Sequence, residues 1–167
     1  MAEPALVLIG APGAGKTRIG KRISRLLELP FVDTDKRIVA KHGVINDIFA
    51  NYGESHFRVL EREEVAQALT EHAVVSLGGG AVLDEQTQRE LEPLPVVQLT
   101  VSADVIAERD IGASRPLLTG GVEAWKALVA TRAPIYDRLG DATFDTTAIP
   151  AERVAADIVR WLEEQGD

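Results

Sequence analysis

Residues 10–17 read Gly10-Ala11-Pro12-Gly13-Ala14-Gly15-Lys16-Thr17, a G-x-x-x-x-G-K-T run whose flanks decide what it is. Ahead of it, Ala5–Ile9 is an unbroken apolar stretch of strand length. Behind it, Ile19, Ile23, Leu26 and Leu27 recur at helical spacing, with Arg18, Lys21, Arg22 and Arg25 mostly on the other side. A strand, a glycine-rich turn and a helix start, in that order, make a cradle for an oxyanion. Glycines let successive backbone N–H groups converge, and the helix end adds partial positive charge. The backbone of Gly13, Ala14 and Gly15 is expected to hold a nucleotide's phosphates, Lys16 to reach the β- and γ-phosphates, and the Thr17 hydroxyl to ligate Mg²⁺. A plain β–α turn would account for neither the lysine nor the threonine.

The same alternation continues along the chain. Strand candidates follow at Phe31–Asp33, Ala73–Leu77, Val96–Val101 and Thr143–Thr146. Their near-continuous apolar character suits strands covered on both faces, so the pattern predicts an α/β fold with a parallel sheet. Phe57, Leu60, Ala68 and Leu69 form one further helical stripe, and Val154, Ile158, Trp161 and Leu162 another, opened by Pro150. Residues 36–52 read as short helical pieces broken near Gly43. Residues 110–121, with Gly112, Pro116, Gly120 and Gly121, lack periodicity and read as a mobile lid.

Three more stretches carry chemistry. The second strand ends Phe31-Val32-Asp33-Thr34-Asp35, at the edge of a parallel sheet where ligands bind. In extended chain Asp33 and Asp35 share a face. Asp33 is the natural partner of the Mg²⁺ shell and Asp35 of an acceptor hydroxyl; the alternative is that either acid caps the next helix. The third strand runs into Gly78-Gly79-Gly80, with no acid at its end. One glycine suffices for a tight turn, so three in succession point to a ligand pressed against backbone, against the alternative of a merely permissive turn. Arg132 falls on the apolar stripe of Trp125, Leu128 and Val129, where a charge needs a partner, and Pro134 is expected to disrupt that helix and leave Arg132 near its end. Arg58, with Glu61 and Arg62 at helical spacing, also reads as a surface ion-pair ladder. Arg115 lies in the lid segment, where a transition-state role competes with simple exposure. His42, His56 and His72 lack metal-ligand spacing and read as surface residues.

Taken in order, these stretches resemble the shikimate kinases, P-loop kinases related to the nucleoside monophosphate kinases. Asp33-Thr34-Asp35 matches the family's D-T-D. Ile48-Phe49, Gly53-Glu54, Phe57-Arg58 and Glu61 follow its I-F…G-E…F-R…E spacing. Ser76-Leu77-Gly78-Gly79-Gly80 matches its S-x-G-G-G, Arg115-Pro116-Leu117-Leu118 its R-P-L-L, and Arg132-Ala133-Pro134-Ile135-Tyr136 its R-x-P-x-Y. The resemblance implies a five-stranded parallel sheet in the order 2-3-1-4-5 with helices on both faces and a lid. It implies ATP-dependent phosphorylation of the 3-hydroxyl of shikimate; a kinase for another small polyol acid such as gluconate is the alternative. It assigns shikimate binding to Asp35, Arg58, Arg132 and the backbone of Gly78, Gly79 and Gly80, with Phe49, Phe57 and Glu61 bracing the pocket. It places Arg109 against adenine. From the chemistry, Lys16, Asp35 and Arg115 are expected to be the catalytic set, with Arg115 brought onto the transferring phosphoryl by lid closure, and Thr17 and Asp33 the metal set.

Composition bounds the remaining possibilities. The 167 residues suit one kinase domain, with a substrate-binding segment at about 33–62 and the lid at about 110–121. With 46% apolar and 26% charged residues, the chain is neither disordered nor fibrous. No cysteine is present, which excludes thiolate metal or redox chemistry. Eighteen basic against 26 acidic residues give a net charge of −8, which argues against nucleic-acid or anionic-membrane partners. No apolar run approaches the ~20 residues of a membrane span, and Met1 is followed by Ala-Glu-Pro rather than a leader, so a cytoplasmic location is expected. A monomer is expected too, since no apolar stripe is left over once the core is assigned. Such an acidic chain can handle anions only where its cations are gathered.

Overall fold

The computed structural model describes residues 2–108 and 121–166. Five parallel strands, β1 (Leu6–Gly10), β2 (Phe31–Asp33), β3 (Val74–Ser76), β4 (Val96–Thr100) and β5 (Ala142–Asp145), form one sheet in the order β2-β3-β1-β4-β5. Each lies within a residue or two of its sequence expectation. Strand β1 shows why both faces are covered. Leu6 and Leu8 enter the core cluster on one face, Val7 and Ile9 that on the other, and all four are buried.

Helices α1 (Lys16–Leu27), α6 (Ala103–Ala107) and α8 (Ala151–Gln165) close the first face through Ile19, Ile23, Ile106, Val154 and Ile158. Helices α4 (Glu54–Ala68) and α5 (Glu85–Leu91) close the second through Val65, Ala68 and Leu91. Leu26 departs from the expected stripe and stands 56% exposed, while Leu27 beside it still packs on this face. Residues 36–52 form α2 (Thr34–His42) and α3 (Ile45–Tyr52), separated by Gly43 at φ 96°. Ile38, Ile48 and Phe57 make a small core of their own beneath this segment. Burying a side chain of this size is worth about 1.5–3 kcal/mol. Lys41 to Glu64, at 2.8 Å, and a paired Arg37–Glu71 contact tie α2 to α4 and its C-terminal end.

Helix α7 (Gly121–Leu139) corrects one expectation. It runs unbroken through Pro134, so Arg132 sits well inside it rather than near an end. A proline removes one helical hydrogen bond; buried Trp125 before it and Tyr136 and Leu139 after it anchor the helix to the body on both sides. The strand registers set the functional edge. Asp33 lies opposite Ser76, and Ser76 opposite Leu8. The segments that leave β1, β2 and β3 therefore start side by side.

Candidate functional site

The phosphate cradle takes its shape from backbone. Gly13 and Gly15 adopt φ 85° and 95°, left-handed conformations that β-carbon-bearing residues rarely enter, and Gly15 is the N-cap of α1. Lys16 Nζ donates to the carbonyls of Gly10 at 2.6 Å and Ala11 at 3.1 Å. Thr17 donates its hydroxyl proton to Asp33 Oδ2 at 2.9 Å, which brings the two expected metal-site residues together.

Asp33 also accepts from the backbone N–H of Lys36 through Oδ1, so it is the N-cap of α2. Helical geometry therefore begins at Thr34, and Asp33 and Asp35 do not share a strand face. The capping role foreseen for either acid belongs to Asp33, while Asp35 stands in the first turn of α2.

Beside the cradle, each of the three consecutive glycines faces one charged side chain. A methyl group at Gly78 would stand 2.5 Å from Asp35 Oδ1. At Gly79 it would stand 3.1 Å from Arg132 Nη1, and at Gly80 2.5 Å from Arg58 Nη1. As Asp35 and Arg58 stand, even a methyl group would have to push them aside, so the bare backbone lets both charges close on the turn, which a merely permissive turn would not require. Arg58 also carries the ion-pair ladder, donating to Glu61 at 2.7 Å and Glu54 at 3.2 Å, with its guanidinium 5.3 Å from the centre of the Phe57 ring. Phe57 in turn packs on Phe49 at 5.1 Å between centroids.

The electrostatics bind these groups into one unit. Burial pushes the Glu61 carboxyl up; Arg58 opposes the rise, Asp35 adds to it and Arg132 opposes it, leaving Glu61 at about 7. Burial would lower the Arg58 guanidinium, but Glu61 and Glu54 outweigh it and hold the group above its ordinary value. Arg132 is only 3% exposed, and its place in the apolar stripe is explained by what it faces. Arg58 and Arg132 are thus gathered in one place in an acidic molecule, among Asp35, Glu61 and Glu54, and the last two hold the Arg58 guanidinium in place. Planar guanidinium forks set this way suit a carboxylate.

Several residues that hold the site were not assigned a role from sequence. Thr34, fully buried, accepts from the Gly78 N–H at 3.3 Å and lies 3.4 Å from the Ser76 carbonyl, tying the acid-bearing turn to the triplet. Tyr136 donates to the Gly79 carbonyl at 2.6 Å. Burial pushes its phenol up, with Arg132 opposing. Trp125 Nε1 donates to the Pro12 carbonyl at 2.8 Å, and Thr146 Oγ1 lies 2.9 Å from the Ala14 carbonyl. Their neighbours are distant in sequence, so Tyr136 was marked only by the R-x-P-x-Y motif, Trp125 could have been signalled only as a polar group on an apolar stripe, and nothing signalled Thr146. His42, His56 and His72 are exposed, and no His, Asp and Glu group suited to a metal stands among the described residues. Arg109, Arg115 and residues 110–120 of the expected lid lie outside the described residues, while Gly121 opens α7.

The comparisons agree with this geometry. The shikimate kinase family model matches residues 12–163. A shikimate kinase of Thermobifida fusca is 44% identical over 169 residues, covering 99% of this chain and 98% of its own. The solved shikimate kinase from Acinetobacter baumannii in complex with shikimate superposes with a TM-score of 0.92 at 28% identity, covering 99% of this chain and 95% of that one. A gluconokinase from Sinorhizobium meliloti, with a TM-score of 0.55 at 20% identity over 96% of this chain and 94% of its own, shares the fold alone. On a match that spans nearly its whole length, the chain belongs to the shikimate kinase family.

Proposed function

We propose that this chain transfers the terminal phosphoryl group of ATP to the 3-hydroxyl of shikimate, giving shikimate 3-phosphate and ADP. The observation that carries the reading is the set of Asp35, Arg132 and Arg58 opposite Gly78, Gly79 and Gly80, next to the Lys16 cradle. Arg58 and Arg132 hold the ring carboxylate. Asp35 accepts from ring hydroxyls and aims the 3-oxygen at the γ-phosphorus. The new P–O bond forms as the bond to the β,γ-bridging oxygen breaks; its electron pair leaves with ADP, and the hydroxyl proton passes toward Asp35. An aspartate of ordinary pKa near 3.9 is a weak base for an alcohol, but in a loose transition state the proton leaves late and alignment dominates. Orientation can supply up to ~7–11 kcal/mol.

Lys16 and the loop N–H groups bind the phosphates, and Arg115 completes the charge around the transferring group. Arg109 serves adenine. The Thr17 hydroxyl gives its proton to Asp33, which leaves its oxygen lone pairs as a ligand for a hard cation. Thr17 with Asp33 would hold Mg²⁺, which when bound supplies charge neutralisation to the phosphates. We take residues 1–167 as one kinase domain acting as a cytoplasmic monomer with no nucleic-acid or membrane partner. No described helix is long and apolar enough to cross a membrane.

The deciding experiment is ATP consumption by purified protein with and without shikimate and Mg²⁺, with gluconate in a parallel reaction. ADP release that requires both shikimate and Mg²⁺ is expected. Equal turnover with gluconate would overturn the acceptor assignment, and no turnover with any ring acid would overturn the kinase reading.

A further inference from the structure

Helix α7 touches both cradles with one face. Trp125, Arg132 and Tyr136 are spaced seven and four residues apart, so they line one side of the helix. Arg132 and Tyr136 meet the ring-acid side, where the Tyr136 hydroxyl donates to Gly79. Trp125 meets the phosphate side: its indole, 4% exposed, donates to the carbonyl of Pro12, 113 residues away. The pyrrolidine of Pro12 closes the circuit, since a methyl group at Gly79 would stand 3.2 Å from Pro12 Cδ. The phosphate loop thus leaves little room for a side chain between Pro12 and the Gly79 floor, and α7 bonds to both.

A buried tryptophan needs only a partner for its N–H, and any backbone carbonyl would serve. Here the partner is the carbonyl of a residue inside the phosphate loop, at a position whose identity the motif leaves open. Lys16 already draws on the Gly10 and Ala11 carbonyls. The Trp125 bond therefore fixes the crown of the loop from outside, while Lys16 and Ala14 fix it from within, the latter through its N–H to the Ala11 carbonyl at 3.1 Å.

We propose that Trp125 is a positioning residue: through its N–H to Pro12 it sets the spacing between the phosphate loop and the Gly79 floor, and so between donor and acceptor. The proposal rests on the kinase reading above for its kinetic consequence, but its structural part does not. A displacement of about 1 Å between reacting groups can cost on the order of 10²-fold in rate. Loss of the bond should therefore lower kcat while the carboxylate clamp, Arg58 and Arg132, keeps its grip.

The test compares wild type with Trp125→Phe and with a protein carrying benzothienylalanine at position 125, which has the shape of the indole but sulfur in place of the N–H. Both variants are expected to lower kcat about tenfold or more, with the KM for shikimate within about twofold. Amide hydrogen exchange of Ala11, Gly13, Ala14 and Gly15 is expected to rise about two- to tenfold, the weight of one hydrogen bond. Should Trp125→Phe fail to fold, the benzothienylalanine protein decides. Unchanged loop exchange with unchanged kcat in a folded variant overturns the proposal, and so does a loss that appears wholly in KM for shikimate. If the wild type turns over no ring acid, the kinase reading fails, and loop exchange still decides the role of Trp125.

Discussion

The two halves of the site are built in opposite ways. The phosphate cradle is eight contiguous residues whose recognition groups are mostly backbone, with Lys16 and Thr17 as its side chains. The ring-acid pocket proposed above is drawn from four segments, Asp35 in α2, Arg58 and Glu61 in α4, the 78–80 turn after β3, and Arg132 in α7. Its recognition groups are mostly side chains. Local sequence can write the first almost alone. The second exists only when the sheet has brought its strand ends level and the helices have docked. It follows that damage to the cradle should show as lost chemistry, and damage to the pocket as lost acceptor affinity.

The largest effect expected is from Lys16→Ala, which removes the ammonium of the cradle. We expect kcat to fall by about 10³-fold, the scale of a lost transition-state charge, with shikimate affinity by calorimetry changed little. A large loss of shikimate affinity instead would mean the two halves are not separable. Next is Arg132→Ala, expected to raise the KM for shikimate about 10²-fold, since a buried charge-assisted contact is worth roughly 2–5 kcal/mol. The KM for ATP should stay near wild type, and parallel loss of both would assign Arg132 to the cradle. Gly80→Ala is subtler. Its methyl would press 2.5 Å from Arg58 Nη1, and because a flexible side chain can yield, a rise of about tenfold in the KM for shikimate is expected. An unaltered KM would show that Arg58 is not held against this backbone when it works.

The smallest effect concerns pH. Glu61, raised by burial to about 7, is neutral below that value and ionised above it. When neutral it leaves Arg58 and Arg132 with uncancelled charge, so acceptor affinity should be higher on the acid side. The KM for shikimate is expected to rise about fivefold from pH 6 to pH 8, and to be flat in Glu61→Gln, whose amide oxygen still accepts from Arg58. The same shift acts on stability. A carboxyl raised in the folded state binds its proton more tightly there than when unfolded, so its contribution is present below the ordinary value of 4.5 and lost as pH climbs through about 7. Urea unfolding of wild type relative to Glu61→Gln should therefore weaken across that window, not strengthen.

Reading forward from residues succeeded where the cause was local. The strands, the break at Gly43 and the turn at the cradle depend on apolar runs and on glycine's access to positive φ, both visible in a few neighbouring residues. It went astray where the environment overrode the local rule. Pro134 does not end its helix, which tertiary bonds hold to the body through Trp125 well before the proline and Tyr136 just after it. Asp33 and Asp35 do not lie on one extended face, because Asp33 caps α2 one residue earlier than an extended strand would allow. Leu26, apolar and in phase, is left in solvent.

What the amino-acid sequence determined by itself is the identity of the chemical groups and the local geometry of the phosphate loop: glycines that turn, a helix that starts, a lysine and a threonine at its mouth. What only the tertiary structure decided is which glycine each distant charge faces, that Glu61 is buried among arginines, and that one helix holds both cradles through Trp125 and Tyr136. The reason is physical. Backbone conformation is governed by interactions a few residues apart, whereas desolvation and charge pairing depend on which surfaces are brought together across the sheet, and no short window of residues contains them.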